Sequence, residues 1–233
     1  MSKGNGIIHL DLIAPVVTKP VKTKKPKKGK GNILVYDTFE GEASEVLLSA
    51  HTPNVDTVGG GWTETPSGNM KVDPVLDVAT CSNTSQTFGV IDAGVSDCII
   101  TATPQYHCNL SVSPAHAYLL LRYVDNTRYL VFGIVSSSAN PLEFALWSVV
   151  AGVGTTKLGS GFGVSGGIPY TFTDNVTITM NGSSIRCEME NEGVDFTVNT
   201  TTFQTSTIHG MRMNRNSNAN TPARVEVIKM ESL

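Results

Sequence analysis

The chain has 233 residues, of which 40% are hydrophobic and 16% are charged, with a formal net charge of −3. This composition is enough to bury a full core in one large or two small domains. No segment reaches the roughly 18 consecutive apolar residues of a membrane span, so we expect no membrane partner.

The charge is divided unevenly along the chain. Residues 1–32 hold eight of the 17 basic residues and one acid, Asp11, which gives +7. Residues 33–233 hold nine basic residues and 19 acids, which gives −10. A basic arm joined to an acidic body indicates a segment that meets a partner, and it argues against a uniformly basic nucleic-acid-binding protein.

The first predicted element is an amphipathic strand in "GIIHLDLIAPVV". Ile8, Leu10 and Leu12 share one face of such a strand, while His9 and Asp11 fall on the other. A lone strand cannot bury its apolar side by itself, so it should add to a sheet edge or groove of another protein. The candidate anchor residues are Ile7, Ile8, Leu10, Leu12 and Ile13.

Residues 18–31 are predicted to be a basic tether. Pro20 and Pro26 stiffen it, like charges extend it, and it would span about 40 Å. A nuclear signal fits the lysine pattern too. A nucleic-acid clamp is a further alternative, but the segment lacks interleaved aromatic residues and the acidic body repels DNA. The candidate tether residues are Lys22, Lys24, Lys25, Lys27, Lys28 and Lys30.

No secretory signal is recognised, because His9 and Asp11 interrupt the apolar run. We therefore expect folding in a reducing cytoplasm, with thiols rather than disulfides. Nothing has zinc spacing, so neither a metal site nor a cofactor is predicted. The cysteines are Cys81, Cys98, Cys108 and Cys187.

From residue 32 onwards, β-branched and aromatic runs alternate with turn residues, which predicts strands at 32–39, 87–92, 97–112, 142–150 and 223–230 and a pair of strands within 116–135, joined by the turn 125–127. The glycine-rich stretch 152–167 is predicted to be a surface loop. Alternation in 176–189 around Asn181-Gly182 predicts a hairpin. Roughly a dozen strands predict an all-β fold, an antiparallel β-sandwich (jelly roll), as one domain over 32–233.

Four phrases resemble concanavalin-like, laminin-G-like jelly rolls of the kind found in tailed-bacteriophage virion proteins. They are the opening "YDTFEG", "LLSAHTP" and "GGGWTE", the hairpin "AYLLLRYVDNTRYLVFGI", the stretch "YTFTDNVTITMNGSSIRCEMENEGVDFTV", and the closing "STIHGMRM" and "ARVEVIKM". The resemblance covers residues 33–233 and implies the fold more than a function. In such virion proteins a short N-terminal peptide often attaches the domain, which suits residues 1–31.

The same family includes laminarinase-type glycosidases, which carry Glu-x-Asp-x-x-Glu or Glu-x-Asp-x-Glu on one strand. Residues 188–192, "EMENE", match this superficially. Glu188 and Glu190 are predicted on the polar face of a strand, however, and Glu192 lies in the following turn. A glutamate also replaces the central aspartate, so we predict no catalytic residue.

Trp62, which follows three glycines, is a candidate glycan contact. The favoured interpretation is a tryptophan that closes one end of the sandwich. The histidines have no partners at triad-like positions and are predicted to be surface or core residues. They are His9, His51, His107, His116 and His209.

These features together predict a non-enzymatic structural protein of a phage virion, a capsid decoration protein or head fibre made in the host cytoplasm. Residues 1–31 would bind the major capsid, portal or tail protein, and we expect a homo-oligomer with no specific nucleic acid. The alternatives are a tail or neck accessory protein and a carbohydrate-binding adhesion module that takes a host-surface glycan.

Deleting residues 1–17 should abolish attachment to the particle and leave the body folded, because the predicted core begins after residue 32. Ile8→Asp with Leu10→Asp should do nearly the same, since both charges enter an apolar groove. Replacing the six tether lysines by serine should weaken attachment only partly, most visibly at low salt. The measurement is the number of copies bound to virions that lack the protein; full binding of the deletion variant would contradict the anchor hypothesis.

Overall fold

A computed structural model describes residues 31–66, 68–81, 86–108, 116–136, 142–163, 170–214 and 223–233. The predicted anchor and all of the candidate tether lysines lie outside these residues. The described residues form strands and one three-residue 3-10 turn, Leu48–Ala50, so the predicted all-β fold class is confirmed. No helix in this part of the chain could cross a membrane.

Eighteen strands run through the described ranges. In chain order they are β1 (Ile33–Asp37), β2 (Val46–Leu47), β3 (Val55–Asp56), β4 (Thr63–Thr65), β5 (Met70–Asp73), β6 (Val78–Cys81), β7 (Thr87–Asp92), β8 (Cys98–Cys108), β9 (His116–Asp125), β10 (Arg128–Ser136), β11 (Glu143–Val150), β12 (Gly154–Phe162), β13 (Tyr170–Thr173), β14 (Val176–Asn181), β15 (Ser184–Met189), β16 (Val194–Asn199), β17 (Ile208–Asn214) and β18 (Arg224–Ser232).

The strands pair antiparallel into two layers. The first layer has the order β3–β1–β18–β8–β14–β15–β16. The first residues of β18 also pair with β6, which pairs with β5, and β5 pairs with β2. Strand β13 pairs with the C-terminal end of β8. The second has the order β4–β7–β17–β9–β10–β11–β12. A single pair, Tyr106 with His116, connects β8 to β9 and joins the two layers into one continuous sheet.

Alternating side chains place the core between the layers. In β14 and β15 the apolar residues of the predicted hairpin are buried, and Asn181 pairs with Ser184 across a turn in which Gly182 has φ +58°. Phe132 of the second layer contacts Phe196 of the first, with ring centroids 6.3 Å apart. This hairpin was predicted from the Asn-Gly signal, but only Gly182 of the two residues has a positive φ, because Asn181 is the last residue of β14.

The glycine-rich stretch was wrongly predicted to be a loop, because Gly154–Phe162 forms strand β12. Its glycines serve close approach between layers. A Cβ at Gly159 would overlap Val198 of β16, and one at Gly161 would lie 3.1 Å from Phe196. Side chains are absent there because the two outermost strands nearly touch, a known use of glycine within strands.

Two of the predicted thiols, Cys98 and Cys187, are buried and free, and Cys81 is buried as well. Burial raises the pKa of the Cys98 thiol to about 12, so it is unreactive at neutral pH. Cys98 and Cys108 are the first and last residues of the single strand β8.

Arg122 interrupts β9 and fastens the two layers together. It has φ +48°, in the left-handed region, and its side chain is fully buried. Its Nη2 donates to Asp97 (3.1 Å) and to the carbonyl of Gly182 (2.6 Å), both in the first layer. Asp97 in turn accepts the Gly182 backbone N–H at 2.8 Å. The Arg122 backbone N–H donates to Nδ1 of buried His209, so β9 is also tied to β17.

Asp97→Asn should lower the free energy of unfolding by about 1–3 kcal/mol, because it removes the charge partner of a buried guanidinium. Asp195→Asn, which removes an exposed partner of Arg186 on the first layer, is the matched control and should leave the urea midpoint nearly unchanged. Equal effects of the two substitutions would show that Arg122 does not depend on Asp97.

Candidate functional site

The outer face of the second layer carries a second apolar cluster, separate from the core between the layers. It is built from residues of five neighbouring strands, and in β9 Leu119 points inward while Tyr118 and Leu120 point outward. The buried members are Phe88, Val90, Leu120, Tyr123, Tyr129 and Val131, and the partly buried ones are Tyr118, Trp147, Val149 and Ile208. An outer sheet face is ordinarily polar, so this one resembles a binding surface.

An open groove of about 230 Å³ lies on this face. We call it the aromatic groove, and its lining residues are Tyr118, Val131, Ile134, Val135, Trp147, Val149, Thr155 and Arg212. Register explains why they meet: Arg212 pairs with Tyr118, and Val131 pairs with both Leu120 and Trp147. Strands β17, β9, β10 and β11 thus each contribute at least one side chain.

Tyr118 fixes the position of Arg212. The ring of Tyr118 leans over Gly133 of the adjacent strand, where a Cβ would overlap its Cδ1 atom. The Arg212 guanidinium lies over the same ring, with Cζ 4.2 Å from the centroid, and its Nη1 donates to the Tyr129 hydroxyl at 3.3 Å. A cation held over an aromatic face is attracted by the negative face of the ring.

The electrostatics of the groove follow from this stacking. Burial raises the pKa of Tyr118 although Arg212 acts in the opposite direction, so the phenol stays protonated and neutral at neutral pH. Next to the groove, Lys157 donates to Glu143 at 2.7 Å, and hydrogen bonds from Lys157 and Ser160 lower the pKa of Glu143. Lys157 is therefore neutralised locally, and Arg212 is the cation that lines the groove.

The described lining of the groove consists of aromatic, apolar, hydroxyl and guanidinium side chains. Its lining within the described ranges contains neither a carboxylate nor a histidine or cysteine. It offers a ligand the indole of Trp147, the apolar side chains of valine and isoleucine residues, the hydroxyl of Thr155 and the N–H donors of Arg212. Aromatic faces with a few polar groups are typical of small-molecule and sugar sites.

Trp62 does not lie in this groove, and the residue is only 2% exposed, so it offers almost no surface to a glycan. Its Nε1 donates to the buried carboxylate of Asp37 at 2.7 Å, and its ring contacts Phe39. Asp37 also accepts from His51. Trp62 therefore belongs to a buried polar cluster, which agrees with the interpretation as a structural residue.

His51, His116 and His209 are buried, in agreement with the prediction of surface or core histidines. His51 lies between Asp37 and Glu42, at 2.9 and 2.7 Å. Burial lowers the pKa of His51, but the hydrogen bonds to these carboxylates outweigh it and the net shift is upward. Burial lowers the pKa of His209 to about 4, so its ring is neutral and Nε2 donates to the Val95 carbonyl.

The acidic triple lies on the other layer, away from the aromatic groove. Glu188 is half-buried on the outer face of β15 and pairs with Arg186 at 3.0 Å. Glu190 is exposed, whereas Glu192 is buried and its backbone N–H donates to Asp174. The three carboxylates do not share one face. Across the described ranges, no group of three His, Cys, Asp or Glu residues is placed to hold a metal ion.

Comparisons with known proteins show likeness of fold alone. No protein family and no curated protein matches the chain. Among solved structures, a carbohydrate-binding module, CBM66 of Bacillus subtilis, aligns with 73% of this chain and 95% of its own at 9% identity and a TM-score of 0.50. The β-glucanase of Bacillus licheniformis aligns with 88% of this chain and 100% of its own, at 11% identity and the same TM-score.

The aromatic groove is not predicted by the sequence patterns considered above. Trp147 stood in a predicted strand and Arg212 in a closing strand, but nothing showed that these strands lie in the same layer. A usable signal did exist: Tyr118, Leu120, Val131, Trp147 and Val149 make the outer face apolar where strict alternation would be polar.

Gly133→Ala should displace the Tyr118 ring and with it Arg212, because the new Cβ overlaps the ring near its attachment. We expect a loss of about 1–3 kcal/mol in the free energy of unfolding, the usual cost of overpacking. In the double variant with Tyr118→Ala the overlap is gone, so Gly133→Ala should cost little in that background. An equal cost in both backgrounds, measured by urea denaturation, would contradict the stacking.

Proposed function

We propose that the chain is a non-catalytic carbohydrate-binding module whose ligand lies in the aromatic groove. The observation that supports this best is the half-buried Trp147 in an open, mostly apolar groove that also offers Thr155 and Arg212. Sugars present apolar C–H faces and polar edges, so they are bound by an indole face flanked by hydrogen-bond donors.

The fold is compatible with this function. The Bacillus subtilis neighbour with a TM-score of 0.50 is itself a carbohydrate-binding module, and it is covered almost completely by the alignment. Fold likeness at 9% identity does not assign a ligand. The proposal therefore depends on the groove.

We propose binding without hydrolysis, although the Bacillus licheniformis neighbour is a β-glucanase. Retaining and inverting glycosidases both need two carboxyl groups that flank the scissile bond. The described lining of the groove supplies none, and Glu188, Glu190 and Glu192 lie on the other layer.

We further propose that the module is displayed on a tailed-phage virion as a decoration protein or head fibre, with a tail or neck position as the alternative. Support for this comes from the sequence: an amphipathic segment, a tether rich in lysine, and a body with a charge of −10 over residues 33–233. The arm would hold the module on the particle, and the groove would contact a host-surface glycan.

The chain contains two tryptophans, Trp62 and Trp147, which makes a direct test simple. In Trp62→Phe the remaining indole is the one in the groove, so a bound oligosaccharide should change its fluorescence. In Trp147→Phe the remaining indole is buried beside Asp37 and should not respond. Trp147→Ala should weaken binding on a glycan array by about ten- to hundredfold.

The proposal would be overturned if Trp147→Ala binds the same glycans as the unaltered chain. It would equally be overturned if the array shows no selective binding at all. Turnover of β-glucans by the unaltered chain would contradict the non-catalytic part.

A further inference from the structure

Arg212 is the arginine of the aromatic groove, and none of the described acids forms an ion pair with it. Arg122, Arg128 and Arg186 each pair with a carboxylate. The contacts of Arg212 within the described ranges are instead the ring of Tyr118 and the hydroxyl of Tyr129. Both are neutral groups, so the positive charge in the groove is uncompensated.

This uncompensated charge lies on a body that is acidic as a whole. Residues 33–233 carry 19 acids against nine basic residues, yet none of the described acids pairs with Arg212. Charges beyond about 8 Å are screened at physiological salt, so a bound ligand responds mainly to the local charge. The groove is thus a locally cationic site on an acidic protein.

From this we infer that the ligand is an acidic glycan whose uronate carboxylate pairs with Arg212 while a sugar ring lies against Trp147. The inference rests on the proposed function and names its ligand class. Guanidinium presents a planar fork of N–H donors that matches a carboxylate in a bidentate pair. Stacking on Tyr118 over Gly133 holds that fork in place before the ligand arrives, which reduces the entropy lost on binding.

The geometry separates the two contacts. Strands β17 and β11 are three strand spacings apart, about 14 Å at the backbone. The side chains of Arg212 and Trp147 reach into one groove from opposite sides. An oligosaccharide, rather than a single sugar, would touch both. The indole would bind any sugar face, and Arg212 would select the acidic one.

The experiment compares ligands that differ only in charge. Calorimetry would measure binding of polygalacturonate and alginate, of methyl-esterified polygalacturonan as the neutral match, and of poly(glycerol phosphate) as a phosphate polymer. We expect at least tenfold tighter binding of a uronate polymer than of the neutral match, and we expect that preference to weaken as salt rises. Arg212→Met should remove the preference, with a loss of about ten- to hundredfold.

Two further variants make the result specific. Arg212→Lys keeps the charge but not the planar fork, so it should retain only part of the preference. Arg186→Met removes an exposed arginine from the opposite layer and should leave the preference intact.

The outcomes are distinct. Equal binding of uronate and neutral polymers, or an unchanged preference in Arg212→Met, would overturn the inference. If the uronate preference is not found but Trp147→Ala still weakens polymer binding, the proposed carbohydrate-binding function stands. Binding of the phosphate polymer alone would also overturn the inference, and binding of no polymer would count against both.

Discussion

The left-handed conformation of Arg122 sets the direction of the side chains on both sides of it in β9. Before this residue, Tyr118 and Leu120 face outward. Strict alternation would turn Tyr123 inward, but the register between β9 and β10 shifts between Arg128 and Leu130, and Tyr123 joins the outer cluster beside Tyr129. Between the pairs Leu121–Leu130 and Asp125–Arg128, β9 has three residues where β10 has one, and such a bulge changes which face the side chains within it occupy.

The same bulge gives Arg122 a path across the core to Asp97 and Gly182. A buried guanidinium is a costly group, and its Nε and Nη1 have no partner among the described residues. That cost is offset by the hydrogen bonds through Nη2 and by the apolar area that the bulge lets Tyr123 cover. The interaction that joins the layers and the shape of the outer face therefore have one origin.

The sequence predicted elements where local chemistry decides the structure. The β14–β15 hairpin followed from period-two alternation and an Asn-Gly turn, and β7 was predicted with its bounds correct at Thr87–Asp92. Strand β12 was missed because its glycines are a response to β16, a contact that no local pattern reveals. The two tryptophans show the same limit of local sequence patterns. Only the pairing of strands distant in sequence shows that Trp62 is buried and that Trp147 reaches solvent.

Strand β17 lies between β7 and β9, although it follows both by about a hundred positions or more in the chain. Arg212 and Tyr129, which meet in the outer cluster, are 83 positions apart. Contacts so distant in sequence form slowly, because a long loop must close before they contribute. During synthesis the ribosome must release β17 before the groove exists, so a nascent chain cannot engage its ligand until the body is almost complete.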